Sequence, residues 1–160
     1  MKNIPIALSF LTLPFFLVHC SDKAAPVETF NTPEVSSLPD VGGLPPGVMM
    51  LKTYGVGNNM ENAKHEAVKN AVRAIIFKGV PGSSVRTALV PKPDMHKLFF
   101  EKFFAPDGAY KNYVSEVTVE PEGTTSLKHR KKQACMRVSV NYKALIKYLE
   151  DEKIIAKMGI

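Results

Sequence analysis

The sequence contains no tryptophan, only two cysteines and only four histidines among its 160 residues. Two cysteines are too few for a disulfide scaffold, or for a zinc site built from cysteine alone. The histidines are far apart, and no H-x-x-x-H or C-x-x-C spacing offers a preformed set of metal ligands. We therefore expect no metal site. The histidines are His19, His65, His96 and His129.

The motifs of common enzymes are also missing. Gly55 and Gly57 stand between a predicted strand and a predicted helix, but the third glycine of a dinucleotide-binding loop is replaced by Met60. Ser83 and Ser84 lack the G-x-S-x-G turn of hydrolases. The sequence therefore predicts no catalytic residue and no cofactor, although an exported enzyme with an unfamiliar site stays open as a function class.

The length suits one modest domain. A formal net charge of +6 suits phosphate-rich partners, but lysines spread over a surface give the same total while only keeping a protein soluble. Charge alone therefore does not decide the type of partner.

Residues 1–19 have the pattern of an export signal. A positive start at Lys2 is followed by an apolar run from Ile4 to Val18. This run has about 15 residues, whereas a helix needs about 20 to cross a hydrocarbon core. A cleaved signal peptide is therefore favoured over a permanent transmembrane span.

The sequence Leu17-Val18-His19-Cys20 at the end of this run resembles the lipobox of bacterial lipoproteins. In that family the cysteine carries diacylglycerol on its sulfur and becomes the new N-terminus. His19 stands where the family nearly always has Gly, Ala or Ser. The resemblance implies that Cys20 is lipidated and anchors the protein to a membrane of the cell envelope. The alternative is an ordinary signal peptide with an incidental cysteine.

The residues after the cysteine are relevant to which membrane of the envelope the lipoprotein is sorted to. Ser21 implies, by the same resemblance, sorting to the outer membrane, facing the periplasm or the cell surface. Asp22 and Lys23 are similar to the charged export tags of some other bacteria, so the leaflet stays open. Acyl chains would hold the protein there, since each buried methylene contributes about 0.8 kcal/mol.

Residues 20–47 are predicted to be the lipidated cysteine and a proline-rich tether. The segment has five prolines and no sustained apolar periodicity. Prolines stiffen a chain toward polyproline II, with a rise of about 3.1 Å per residue, so the tether can hold a domain away from a bilayer. A tail without a spacing role is the alternative.

Residues 48–160 are predicted to form a single α+β domain. The segment 48–56 is predicted to be a strand, and Asn58 with Glu61 forms a plausible capping box for the helix that follows. Small apolar residues recur along this helix at steps of three or four, as in a stripe that packs on a sheet. The stripe consists of Met60, Ala63, Ala67, Ala71, Ala74 and Ile75.

The second half of the domain is predicted to contain two helices and a hairpin. Asp94 is expected to cap a helix over 95–104, and two strands, 113–120 and one that ends at Asn141, are joined by a turn at 121–123. A last helix covers 142–155. The order β-α-α-β-β-α predicts a small antiparallel sheet with helices on one face.

The mature domain resembles a small periplasmic domain shared by bacterial lipoproteins and the N-terminal part of the flagellar protein FlgT. The resemblance rests on the glycines Gly55 and Gly57, on the alanine spacing from Ala63 to Ala71, and on the run VSVNYKALIKYLE. It implies a role in envelope assembly or interaction without catalysis. A long insertion between the first helix and the hairpin departs from the family's compact pattern.

Cys135 is the second thiol. Lys131, Lys132 and Arg137 would favour its thiolate in an oxidising compartment, but with Cys20 acylated it has no partner in the chain. A small residue half covered on a sheet face is the expected state.

The densest positive charge is the run Lys128, His129, Arg130, Lys131 and Lys132. It is expected at the hairpin turn, where it suits phosphates of lipid head groups or envelope glycans, each charge contributing about 1 kcal/mol near a membrane. A merely solvated loop is the alternative. Nucleic acid is not expected, since no aromatic residues interleave the charges.

The leading hypothesis is therefore a lipid-anchored envelope protein without catalytic activity that binds another envelope protein. The competing hypothesis is a module that binds an anionic ligand through residues 128–132.

Overall fold

A computed structural model describes residues 35–38, 43–127 and 131–158. Within these ranges the strands are β1 (Ser36–Ser37), β2 (Val48–Gly57), β3 (Val114–Ser126) and β4 (Lys132–Asn141). The α-helices are α1 (Met60–Phe77), α2 (Lys97–Phe103) and α3 (Tyr142–Asp151). Short 3-10 helices at Pro93–His96 and Ala109–Tyr113 precede α2 and β3.

The strands form one antiparallel sheet in the order β1-β2-β4-β3. The central strands β2 and β4 pair without interruption, from Val48 opposite Asn141 to Gly57 opposite Lys132. The predicted α+β fold is therefore confirmed. β1 is an addition to the predicted order: it falls in the segment predicted to be a tether, and its two residues pair with Leu51 and Lys52 of β2.

The hydrophobic core lies on one face of the sheet, where α1 packs on β2 and β4. A Cβ built on Gly55 of β2 would lie 2.1 Å from the backbone nitrogen of Ala67 and 2.2 Å from the carbonyl oxygen of Ala63. Only glycine therefore allows the helix and the strand to approach this closely. The predicted alanine stripe is confirmed, because its members are buried apart from the half-buried Met60.

An aromatic cluster fills the space between the helices. Phe103 of α2 has its ring centroid 5.8 Å from that of Phe99, 6.2 Å from that of Tyr113 and 5.9 Å from that of Tyr148 on α3. Burial raises the pKa of Tyr113 to about 12, and the neighbouring Tyr148 adds to the effect. The cluster joins α2, α3 and the second 3-10 helix to the core under the sheet.

The structure moves the predicted hairpin turn. The chain was predicted to reverse at Pro121, Glu122 and Gly123, but β3 continues to Ser126. The pairing with β4 is irregular in between, since Glu120 lies opposite Cys135 and Thr125 lies opposite Gln133. Thr124 explains this, because its hydroxyl donates to the carbonyl of Glu120 (2.7 Å) and accepts from the amide of Cys135 (3.0 Å). The extra residues therefore form a bulge, and the prediction of a turn is wrong.

The starts of two helices also differ from the prediction. Asn59 rather than Asn58 caps α1, since its side-chain oxygen accepts from the amide of Asn62 (2.8 Å). Asp94 does not cap α2; it lies inside the first 3-10 helix, which begins at Pro93. Proline favours the first position of a helix because its φ is already fixed, so the helical turn begins one residue before the expected cap.

The last helix ends at Asp151, earlier than the predicted 155. Lys153 adopts a left-handed backbone conformation with φ 58°. The amide of Ile154 donates to the carbonyl of Leu149 (2.8 Å), and that of Lys153 donates to the carbonyl of Glu150 (3.0 Å). These two bonds form a Schellman motif, which stops the helix without a glycine. In the described part of the chain, no helix has both the length and the apolar character needed to cross a bilayer.

Candidate functional site

The predicted lipidation and anion sites lie largely outside the described residues. Cys20 and residues 128–130 lie outside the described residues, whereas Lys131 and Lys132 lie within them. Lys131 is exposed, and its carbonyl accepts from the amide of Leu127 (2.8 Å). The ammonium of Lys132 donates to the hydroxyl of Ser126 (2.6 Å). Of the basic run, the structure therefore describes Lys131, just before β4, and Lys132, the first residue of β4. The predicted anion site stays a prediction.

Cys135 was expected to be half covered. It is instead fully buried, with no exposed surface. It lies under the bulge of β3, where a Cβ on Gly123 would be 3.3 Å from the Cβ of Cys135 and 2.8 Å from the ring of Tyr54. A hydrogen bond between the Tyr54 and Cys135 side chains is the main reason why the pKa of Tyr54 is raised. The bulge therefore shields the thiol from any second protein.

The structure describes both serines and two of the four histidines singled out in the sequence; His19 and His129 lie outside the described residues. The hydroxyl of Ser83 donates to the carbonyl of Val80 (2.8 Å) and accepts from the amide of Val85 (3.1 Å), so it holds a loop together. His65 is exposed on α1, and His96 is half-buried. Across the residues that the structure describes, no group of three His, Cys, Asp or Glu side chains is placed to hold a metal ion.

The outer edge of β3 is a candidate binding surface, which we call the β3 edge (residues 115–120). β3 lies at one end of the sheet and, among the described strands, pairs only with β4. Within residues 35–38, 43–127 and 131–158, no strand pairs with its other side, so the backbone groups there can pair with an extended chain. Two apolar side chains project from it, Val117 with 44% and Val119 with 42% of its surface exposed.

The exposure of these valines follows from the position of α1. Val117 lies opposite Val138 of β4, and Val119 lies opposite Met136, so both valines share the core face of the sheet. Their β4 partners are buried, at 0% and 3% exposure, because α1 covers β2 and β4. β3 extends past this cover. The β3 edge is therefore a continuation of the core face that no described helix covers.

The opposite face of β3 is acidic. Glu116 is exposed and lies opposite Ser139, while Glu120 pairs with Arg137, Oε1 to Nε at 2.6 Å. An extended segment added to this edge would thus meet valines on one face and a carboxylate on the other. The sequence contained the alternation of this strand, but it could not show that β3 lies outside the cover of α1.

Comparisons of the chain with protein-family models, with curated proteins and with solved structures found no match. The resemblances to bacterial lipoproteins and to the FlgT domain therefore stay predictions from the sequence.

Proposed function

We propose that this protein is a lipid-anchored lipoprotein of the cell envelope, at the outer membrane, which binds another envelope protein and has no catalytic activity of its own. The observation that carries the interaction role is the β3 edge, where a free strand edge and the exposed Val117 and Val119 occur together. The lipobox-like sequence ending at Cys20 supports the anchor. A protein held by acyl chains and a tether would meet its partners near one membrane.

The proposed binding mode is strand addition. A partner segment in extended conformation would form main-chain hydrogen bonds with the β3 edge, and alternate side chains would give specificity. Apolar side chains on one face would cover Val117 and Val119. Lysine or arginine on the other face would lie near Glu116, where opposite charges across strands contribute about 0.2–1 kcal/mol.

Charge argues against a second copy of this chain as the partner. In a two-fold antiparallel pairing, the same face of the sheet continues from one copy into the other. The exposed Glu116 of both copies would then share one face, whereas Glu120 is already paired with Arg137. Like charges directly opposite each other are destabilising. A different protein with a basic strand therefore fits better.

The test uses variants of the full chain in cells that make it. Asp at both valine positions (Val117→Asp with Val119→Asp) should abolish cross-linking to a partner, because charge replaces the apolar contact. Val56→Asp is the matched control, since Val56 is 42% exposed at the end of β2. If the double variant, folded as judged by its melting curve, cross-links like the wild type, the β3 edge is not the interface.

The anchor has its own test. The intact mass of the membrane-extracted protein should equal that of the chain cut before Cys20 plus acyl groups, and Cys20→Ala should remove the acyl mass. An uncleaved, unmodified chain in the wild-type sample would overturn the anchor without bearing on the β3 edge.

Binding of an anionic ligand at residues 128–132 is the second candidate, favoured by the exposure of Lys131 beyond the paired strands. Charge reversal at Lys131 and Lys132 should then weaken binding to a phosphorylated envelope glycan at low salt. Unchanged binding by this variant would exclude the role.

A further inference from the structure

An open cleft of about 650 Å³ lies beside the start of β2, between β1, the loop after α1 and the first residue of α3. Its size is in the range of clefts that bind small organic molecules. One side of its lining is apolar and consists of Leu38, Leu44 and residues 48–50. The loop after α1 and Tyr142 supply the polar side. The cleft therefore combines an apolar wall with a polar one, as ligand sites do.

The loop on the polar side is held in place by hydrogen bonds. The amide of Ser83 donates to the carbonyl of Val80 (3.2 Å), and Gly82 between them has φ 78°, which glycine adopts without strain. The hydroxyl of Ser37 in β1 donates to the carbonyl of Pro81 (3.0 Å). This bond joins the loop to the sheet, so the polar wall of the cleft is formed before any ligand arrives.

Three polar side chains at the cleft have hydrogen-bonding groups to spare. The hydroxyls of Ser84 and Tyr142, which both line the cleft, form no hydrogen bond with another residue in the part of the chain that the structure describes. Arg86 is exposed, and its Nε donates to the carbonyl of Ser83 (3.4 Å). Its two Nη groups point to no acceptor among the described residues. These donors are therefore available to a ligand.

The charge of the cleft is positive. Arg86 is the one charged residue among the described residues that line it. The segments that supply the lining contain Lys143 as their one other charged residue and no Asp or Glu; they are 35–38, 43–50, 79–87 and 139–144. Lys143 lines a neighbouring groove. Glu116 lies two strands from Met50, about 10 Å away, and does not line the cleft. The cleft therefore favours an anion.

We propose that this cleft binds a small amphiphilic carboxylate, with the carboxylate on Arg86 and the apolar body against Leu38, Leu44 and Met50. A guanidinium pairs with a carboxylate through two parallel hydrogen bonds, and one positive charge balances one negative charge. A phosphate group, with a charge of about −2 at neutral pH, would be balanced only in part. Methionine adapts its shape to an apolar body and makes favourable contacts with aromatic rings. The site goes beyond the proposed strand addition and does not depend on it.

The test uses 4-phenylbutanoate as the probe and 4-phenylbutanamide, its uncharged equivalent, as the matched control. The full chain is labelled at its methionine methyl groups and titrated while their NMR signals are recorded. Phenylbutanoate should shift the signals of Met49 and Met50 until they saturate, and leave Met95 and Met158, which do not line the cleft, unchanged. The amide should bind at least about tenfold more weakly, because it cannot form the charge-assisted pair.

Substitutions separate recognition by Arg86 from general attraction to a positive surface. Arg86→Gln should weaken phenylbutanoate binding by at least about tenfold, and Ser84→Ala by about threefold. Lys143→Gln, at the neighbouring cation, should leave the affinity unchanged. If a melting curve shows that Arg86→Gln does not fold, Ser84→Ala carries the test alone.

The proposal is overturned if the wild type gives no saturable shift, if the amide binds equally well, or if Lys143→Gln loses as much affinity as Arg86→Gln. Glu34 and Asp40, the acidic residues nearest in sequence to the lining, lie outside the described residues. Binding that appears only after Glu34→Gln or Asp40→Asn would mean that a carboxylate of the chain itself occupies Arg86, which also overturns the proposal. None of these results depends on a protein partner, so they do not bear on the β3 edge.

Discussion

Val138 of β4 and Val117 of β3 lie directly opposite each other on the same face of the sheet, yet one is fully buried and the other is 44% exposed. The residue type and the face are the same, so the difference comes from the helix above. α1 approaches β2 and β4 closely through Gly55 and its alanines, and its cover does not reach β3. The covered part of the sheet gives stability, and the uncovered part is available for binding.

The largest expected effect is in the aromatic cluster of the core. Phe103→Ala should lower the free energy of unfolding by about 4 kcal/mol, because it leaves a cavity at the centre of the aromatic cluster. Leu98→Ala on the same helix should change it by less than about 0.5 kcal/mol, since Leu98 is 75% exposed. Chemical denaturation measures both values, and similar losses would contradict the packing described for α2.

Gly55→Ala should lower the free energy of unfolding by about 3 kcal/mol. The added methyl group would meet backbone atoms of Ala63 and Ala67, which move only if α1 moves away from β2. The control is Val56→Ala at the neighbouring, exposed position, with a change below about 0.5 kcal/mol. A stable Gly55→Ala protein would mean that α1 does not pack on β2 as described.

Substitution of Val138 and of Val117 tests whether α1 covers β4 but not β3. Val138→Ala should lower the free energy of unfolding by about 2 kcal/mol, because a fully buried side chain loses two methyl groups. Val117→Ala should lower it by less than about 0.5 kcal/mol. Equal losses in thermal and chemical denaturation would indicate that β3 is covered in the free protein.

Tyr113 directly precedes β3 and packs against Phe103 and Tyr148. Its pKa of about 12 in the folded protein lies above the ordinary value of 10.0, so its neutral form stabilises the fold fully below pH 10. This contribution is lost as the pH rises toward 12. Tyr113→Phe should therefore reduce the loss of stability in this range, as measured by phenolate absorbance and denaturation. Titration of all five tyrosines together near pH 10 would contradict the burial of Tyr113.

The sequence predicted the elements better than their arrangement. Strand alternation and the alanine spacing of α1 depend on local periodicity, so the α+β class followed from them. The bulge at Thr124 and the Schellman motif at Lys153 depend on hydrogen bonds that no short pattern shows. The proposed binding surface was missed for a third reason: the exposure of Val117 and Val119 depends on where a helix from another part of the chain lies.

The central claim, that the β3 edge binds a partner, is tested most directly by a photo-crosslinking amino acid placed at single positions in living cells. At position 119 it should give one cross-linked partner, and at position 56, a valine with the same 42% exposure, it should give none. Cross-links at 56 that equal those at 119, or no cross-link at 119 in folded protein, would contradict the claim.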